Sequence, residues 1–292
     1  MGDHQDGIKM DWHITQEGFT TTGQASLFNI VCPLCSTCRT EKKNIVIFND
    51  TFTEFNHPEV GLSACRLLNA LDYHVILPDW KCCGRPPLSK GLLPAARDQA
   101  QKLIEHLWPY VRSGYSIIGL EPSCLLTLRD DYSSLISKGW NDEMERRGVN
   151  VRQFVDHCFT LDEFLAHLVE SDEFAKIFKT EKRIVHVHGH CYQKALVGMQ
   201  PTLRILKSVP GFEVREIHSG CCGMAGSFGY EAEHEEISMK IGGLKLFPAI
   251  RKTGPDDWII ASGMSCRHQI HDGTQRKAMH LAEALALQLR RG

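Results

Sequence analysis

The chain has 292 residues, enough for one large domain or two modest ones with real cores. Hydrophobic residues make up 42% and charged residues 23%, an ordinary globular balance, and the net charge of -2 offers no footprint for nucleic acid or an anionic membrane. The opening MGDHQDGIKM lacks the apolar core of a secretory leader and no apolar run approaches transmembrane length, so the 12 cysteines are not expected to form a secreted disulfide framework. In a reducing compartment, clustered cysteines more often serve metal or redox chemistry, and a cytoplasmic location is the expectation.

In chain order, residues 1–43 are polar, irregular in pattern and expected to be poorly ordered. They hold CPLCSTC, with Cys32, Cys35 and Cys38 spaced like the start of a bacterial ferredoxin motif. The fourth cysteine is due at position 42, where Lys42 and Lys43 stand, so a degenerate site or chance is the expectation. A β-branched run then predicts a strand over Ile45 to Phe48. A helical stretch follows from Pro58 to Leu71, a second strand from His74 to Leu77, and then the turn KCCGRP. A longer helix is predicted over Leu92 to Val111 and a third strand over Ser116 to Leu120, which leads into Cys124.

The same order returns after residue 182. Strands are predicted over Ile184 to Val187, Glu213 to Ile217 and Trp258 to Ser262, and helices over Pro201 to Ser208 and Ala232 to Ile250. Cys82, Cys83 and Gly84 fall on Cys221, Cys222 and Gly223 at an offset of 139 (221 - 82), and Cys124 on Cys266 at 142 (266 - 124). Strands alternating with helices predict an α/β fold of two pseudo-duplicated βαβ-type halves with parallel sheets. The expected organisation is a first repeat over 44–131, a helical connection over 132–182 and a second repeat over 183–292. Within the connection, Leu161 to Phe178 has helical spacing and is expected to pack on the outside.

Cys191, Cys221, Cys222 and Cys266 share one address, just beyond the carboxyl ends of predicted strands, where open α/β sheets build their sites. Four thiolates converging there suit an iron-sulfur cluster or tetrahedral zinc. The bland alternative, ordinary buried cysteines, fits any one of them better than all four. The first half offers Cys82, Cys83 and Cys124, with Phe52 at the position matching Cys191. A fourth ligand there would come from His57, Cys65 or an exogenous group; a decayed site is the alternative. HVHGHC places His186, His188 and His190 at strand alternation, where any of them could tune a centre through a sulfur, or simply line a polar strand end. The glycines of GCCGMAGSFG do not match a dinucleotide fingerprint.

CCGRP, LEPSCLLTLRDDY, HGHCYQKA, CCGMAGSFGYE and SGMSCRHQI together resemble the cysteine-rich CCG domain proteins. The resemblance runs from about Asn44 to the C-terminus. It is to the iron-sulfur region of FAD-linked 2-hydroxy-acid dehydrogenases: the glycolate oxidase iron-sulfur subunit, the corresponding subunit of the anaerobic glycerol-3-phosphate dehydrogenase, and the C-terminal part of D-lactate or D-2-hydroxyglutarate dehydrogenases. A more distant relative is found in the heterodisulfide reductases. The resemblance implies an electron-transfer component of an oxidoreductase rather than a complete enzyme. It implies Cys191, Cys221, Cys222 and Cys266 as ligands of an iron-sulfur cluster of [4Fe-4S] type. Cys82, Cys83 and Cys124 would be the matching set, with zinc as an alternative occupant. It further implies FAD on a partner dehydrogenase, a downstream acceptor such as a quinone, and a cytoplasmic place that a partner could bring to the inner membrane.

Three departures bear on this. Thr127 and Gln269 stand where heterodisulfide reductases end each repeat in C-x-x-C; Phe52 leaves the first repeat one ligand short; and complete ferredoxin motifs and a flavin domain are not found. Two further functions remain open: a thiol/disulfide enzyme of the heterodisulfide reductase type, and a non-catalytic zinc module.

Overall fold

Parallel strands need crossover connections, and this chain supplies a helix between each pair. The computed structural model describes residues 13–15, 18–20 and 42–290. Residues 1–41 form a unit of their own, in which β1 (His13–Thr15) and β2 (Gly18–Thr20) pair antiparallel. The CPLCSTC motif lies outside the described residues.

In the unit from Lys42 onward, β3 (Lys43–Ile47), β4 (Tyr73–Ile76), β5 (Ile117–Gly119) and β6 (Cys158–Thr160) make a parallel sheet in the order β4-β3-β5-β6. A second parallel sheet has the order β8-β7-β9, from β7 (Arg183–His188), β8 (Phe212–Glu216) and β9 (Trp258–Ala261). The two halves repeat one strand order, as the cysteine offsets predict.

Alternation along β3 sends Ile45 and Ile47 into one core and Val46 and Phe48 into another, so this sheet is covered on both faces. The first core is shared between the halves. Ile45 and Ile47 belong to it together with Val185 and Val187 of β7, and helix Leu281–Gln288 packs on helix Pro58–Ala70.

Three expectations are corrected. The connection over 132–182 is not purely helical, because Cys158–Thr160 joins the first sheet as β6. Nor does Leu161 to Phe178 lie outside: Leu161, Leu165, Phe174 and Phe178 are buried in the shared core. The helix expected over Ala232 to Ile250 breaks at Lys245 into Glu235–Leu244 and Leu246–Arg251. Gly242 and Gly243 weaken the first piece, and Pro248 cannot continue its ladder.

Candidate metal centre

All the cysteines flagged by the repeat lie at the carboxyl ends of parallel strands. Cys82 and Cys83 follow β4, and Cys124 sits in helix Pro122–Arg129 after β5. Cys191 opens helix Cys191–Leu196 after β7, Cys221 and Cys222 follow β8, and Cys266 sits in helix Met264–Thr274 after β9.

Each Cys-Cys pair is held by the glycine after it. Gly84 has φ +81° and Gly223 φ +107°, a region that side chains rarely enter. A methyl group on Gly223 would collide with the Ser238 carbonyl. The turn aims backbone donors at sulfur: the Gly223 N–H at Cys221 Sγ (3.3 Å) and the Arg85 N–H at Cys83 Sγ (3.5 Å). Lys194 pins the second loop by donating to the carbonyls of Ser219 and Gly220.

In the second half the thiols touch in series, Cys191 to Cys221 to Cys222 to Cys266. Contact with Cys191 and Cys222 holds the Cys221 thiol well below its ordinary value, and contact with Cys222 does the same for Cys266 against its burial. Cys191 and Cys222 are pushed up by the same neighbours. Thiols packed this closely share their protons, and a cation suits such a set better than shared protons do. His188 completes it: a ring nitrogen, Cys222 Sγ and Cys266 Sγ lie within 4.8 Å of one another. These residues fit a metal or iron-sulfur centre with thiolate ligands.

The first half differs. Cys82, Cys83 and Cys124 also touch in series, but all three thiols are raised. Cys83 contact lowers Cys124, yet burial and the Asp50 and Glu121 carboxylates push it up to about 11. Neither proposed fourth ligand is brought in. His57 bonds Glu59 (2.8 Å) and His268 (3.0 Å), and Cys65 packs against the shared core. Asp50 is close, but its oxygens already accept from the Phe52 and Thr53 N–H groups and the Thr53 hydroxyl. Burial, then Glu121, raises its carboxyl to about 6.

Both sets open on one cavity of about 440 Å³, lined by Cys82, Cys83 and Cys124 and by Cys191, Cys221 and Cys222. Its walls are tied across the seam between the halves. Arg85 donates to Asp131 (3.0 Å) and to the hydroxyl of Tyr192 (3.0 Å), which itself donates to Asp131 (2.6 Å). Glu121 caps Ser123 and reaches Met264, and both of those residues line the cavity. The sequence marks Arg85 and Glu121 only as members of CCGRP and LEPSC; their partners lie too far along the chain to be read. Of the three histidines, His186 pairs with Asp257 (2.9 Å), His190 caps helix Cys191–Leu196 at the cavity wall, and His188 stands at the thiols.

The sequence profile of the cysteine-rich CCG domain matches twice, over residues 36–129 and 185–271. The chain is similar to a subunit of the anaerobic glycerol-3-phosphate dehydrogenase of Escherichia coli (strain K12), 28% identical over 84% of this chain and 60% of that protein. It is similar to a D-2-hydroxyglutarate dehydrogenase of Pantoea ananatis, 26% identical over 86% of this chain and 23% of that one. The lactate utilization protein A of Bacillus subtilis is 23% identical over 82% of this chain and 98% of its own length. The chain thus spans less than two thirds of the length of the first two relatives. A crystal structure of a hypothetical protein from Helicobacter pylori shares the fold with a TM-score of 0.50 and 12% identity, over 86% of this chain and 50% of that one.

Proposed function

The chain belongs to the cysteine-rich CCG domain family, and from that membership we propose that it is the iron-sulfur electron-transfer module of a flavin-dependent dehydrogenase. The alcohol oxidised is a 2-hydroxy acid or a comparable substrate; the names of the relatives point to glycerol-3-phosphate, 2-hydroxyglutarate and lactate. The substrate would bind a partner that carries FAD, and a quinone or another carrier would accept the electrons.

The observation that carries this reading is the second-half set, four sulfurs in series at the carboxyl ends of three parallel strands, with the Gly223 N–H aimed at Cys221 Sγ. A bound cluster, proposed as [4Fe-4S], would supply one-electron storage between a two-electron flavin and the acceptor. Cys191, Cys221, Cys222 and Cys266 would hold it. Cys82, Cys83 and Cys124 would hold a second, less tightly kept occupant, zinc being one candidate. No helix among the described residues is long and apolar enough to cross a membrane, so contact with a membrane-bound acceptor would run through a partner.

The shared cavity favours a second reading, a thiol/disulfide enzyme, because a small disulfide could stand between the two sets. Gln269 and Thr127 at the fifth-cysteine positions weigh against it. Anaerobic purification with iron, sulfide and zinc analysis tests the proposal. Brown protein that dithionite bleaches, and that a flavoprotein partner reduces when given the hydroxy acid, supports it. Colourless protein with stoichiometric zinc overturns it in favour of the zinc module. Disulfide cleavage by the reduced protein alone would favour the second reading.

A further inference from the structure

We propose that His188 is a nitrogen ligand of the second-half centre, so that this centre has a mixed thiolate and imidazole donor set. The inference rests on the reading that a metal centre sits there, and deepens it.

His188 lies on β7 with Val185 and Val187 facing the opposite side of the sheet. It is 1% exposed. One ring nitrogen, Nδ1, is 2.9 Å from Ser219 Oγ, which fixes the ring. The other, Nε2, is buried and meets no hydrogen-bond partner. Native folds rarely leave such an atom bare unless something else fills its place. Here the ring stands with Cys222 Sγ and Cys266 Sγ, all three ligand atoms within 4.8 Å of one another. The three atoms are thus close enough for the imidazole to serve the same centre as the two thiolates. Ser219 then takes the part of the outer partner that orients a metal-bound imidazole. The ring also touches Cys266, as two ligands of one centre would.

The repeat contains its own control. Position 49 corresponds to 188 at the offset of the Cys-Cys pair (188 - 49 = 139). It holds Asn49, also buried, with Nδ2 donating to Glu54 at 2.8 Å and Oδ1 left without a partner. Each half therefore keeps one bare, buried donor atom at the same place, nitrogen in the second and carboxamide oxygen in the first. In an iron-sulfur centre, imidazole in place of anionic thiolate raises the reduction potential. His188 would stand in for one of the four cysteines at the cluster, and the centre would then be easier to reduce than an all-cysteine one.

The test uses the full chain, labelled with 15N-histidine, purified anaerobically and reduced with dithionite. Pulsed EPR should show one strongly coupled nitrogen, kept in His186→Asn and lost in His188→Asn. His188→Cys should keep iron and shift the midpoint potential downward. Iron-loaded wild-type protein without a strongly coupled nitrogen overturns the proposal, as does a coupling that survives in His188→Asn. If the protein carries no iron, the iron-sulfur reading fails on its own. Cadmium-113 substitution then decides the ligand question, through the presence or absence of a 15N–113Cd splitting that depends on His188. Failure to bind any of these metals overturns both.

Discussion

Glu121 of the first half accepts the backbone N–H of Met264 of the second at 2.8 Å. Its other oxygen accepts from the Ser123 N–H at 3.2 Å and the Ser123 hydroxyl at 2.8 Å. One buried carboxylate thus caps the helix that carries Cys124 and the helix that carries Cys266, and places both helix N-termini beside a negative charge. Glu121→Ala should cost about 2–4 kcal/mol, a lost cap plus a buried N–H left unpaired. It should also lower metal content at both cysteine sets. Urea unfolding with metal analysis of the same preparation checks this. An unfolding midpoint within error of wild type would show that the seam does not depend on this residue.

The two cysteine sets should differ in retention. The second has four sulfurs in series; the first has three, with Phe52 at the position of the fourth, and all three thiols are raised. Cys83→Ser should leave a reducible cluster in place and Cys222→Ser should not. Low-temperature EPR of each dithionite-reduced variant, beside iron and zinc analysis, decides it. The reverse pattern would invert the ranking of the sites. Loss in both variants would mean that one centre spans the cavity they share.

Much of this was legible in the sequence because the repeat is written in strands, turns and cysteines at fixed offsets. Ile45, Ile184 and Trp258 all fall in or beside predicted strands that the structure contains. What escaped is what depends on tertiary context. The three residues Cys158–Thr160 are too short to show a period of two, and become β6 because β5 offers a free edge. The spacing of Leu161 to Phe178 says that one face is buried, not what covers it, and the cover turned out to come from both halves. LEPSC marks Glu121 as part of a motif, but its second helix lies 143 residues away. The three histidines of HVHGHC are equivalent in the sequence. Only the packing of the Ser219 loop singles out His188.

Residues 1–40 should be dispensable for metal binding at these sites. Lys42 occupies the place of the fourth ferredoxin-type cysteine, and both cysteine sets lie in the unit that begins at Lys42. A chain starting at Glu41 should keep its full iron and sulfide. A loss of about four irons would instead establish a ferredoxin-type centre at Cys32, Cys35 and Cys38.

His280 should make the fold acid-sensitive. Its ring is buried, donates to the Leu120 carbonyl at 3.0 Å and accepts from the Ala282 N–H at 3.0 Å. Burial first, then the nearby Arg267 charge, lowers it to about 3; His57 faces it as well. Between pH 6.5 and about 3 the unfolded chain therefore takes up a proton that the folded ring refuses. Stability falls with pH over that window, by about 1.4 kcal/mol per unit from this group. His280→Gln should be less stable at about pH 7.5 yet show a shallower loss between about pH 6 and 4.5. Parallel curves for the two proteins in urea would rule the ring out as a source of that slope.

The Cys-Cys-Gly glycines should be unequal. Gly84 and Gly223 both sit at positive φ, where alanine costs about 1–2 kcal/mol in backbone strain alone. Their surroundings diverge. A methyl on Gly84 would meet the Ala96 carbonyl at 3.0 Å, a contact that a small shift relieves. On Gly223 it would overlap the Ser238 carbonyl, and that oxygen accepts from the buried Gln269 side chain at 3.1 Å and has little room to retreat. Relief at Gly223 must therefore come from the loop itself, which carries Cys221 and Cys222. Gly84→Ala should fold with a modest loss of stability and keep the second-half centre. Gly223→Ala should lose that centre, and its thiols should react with an alkylating reagent in the folded state. Equal iron content in the two variants would show that the loop tolerates the overlap, and that the glycine after the cysteine pair is not what sets the sulfur positions.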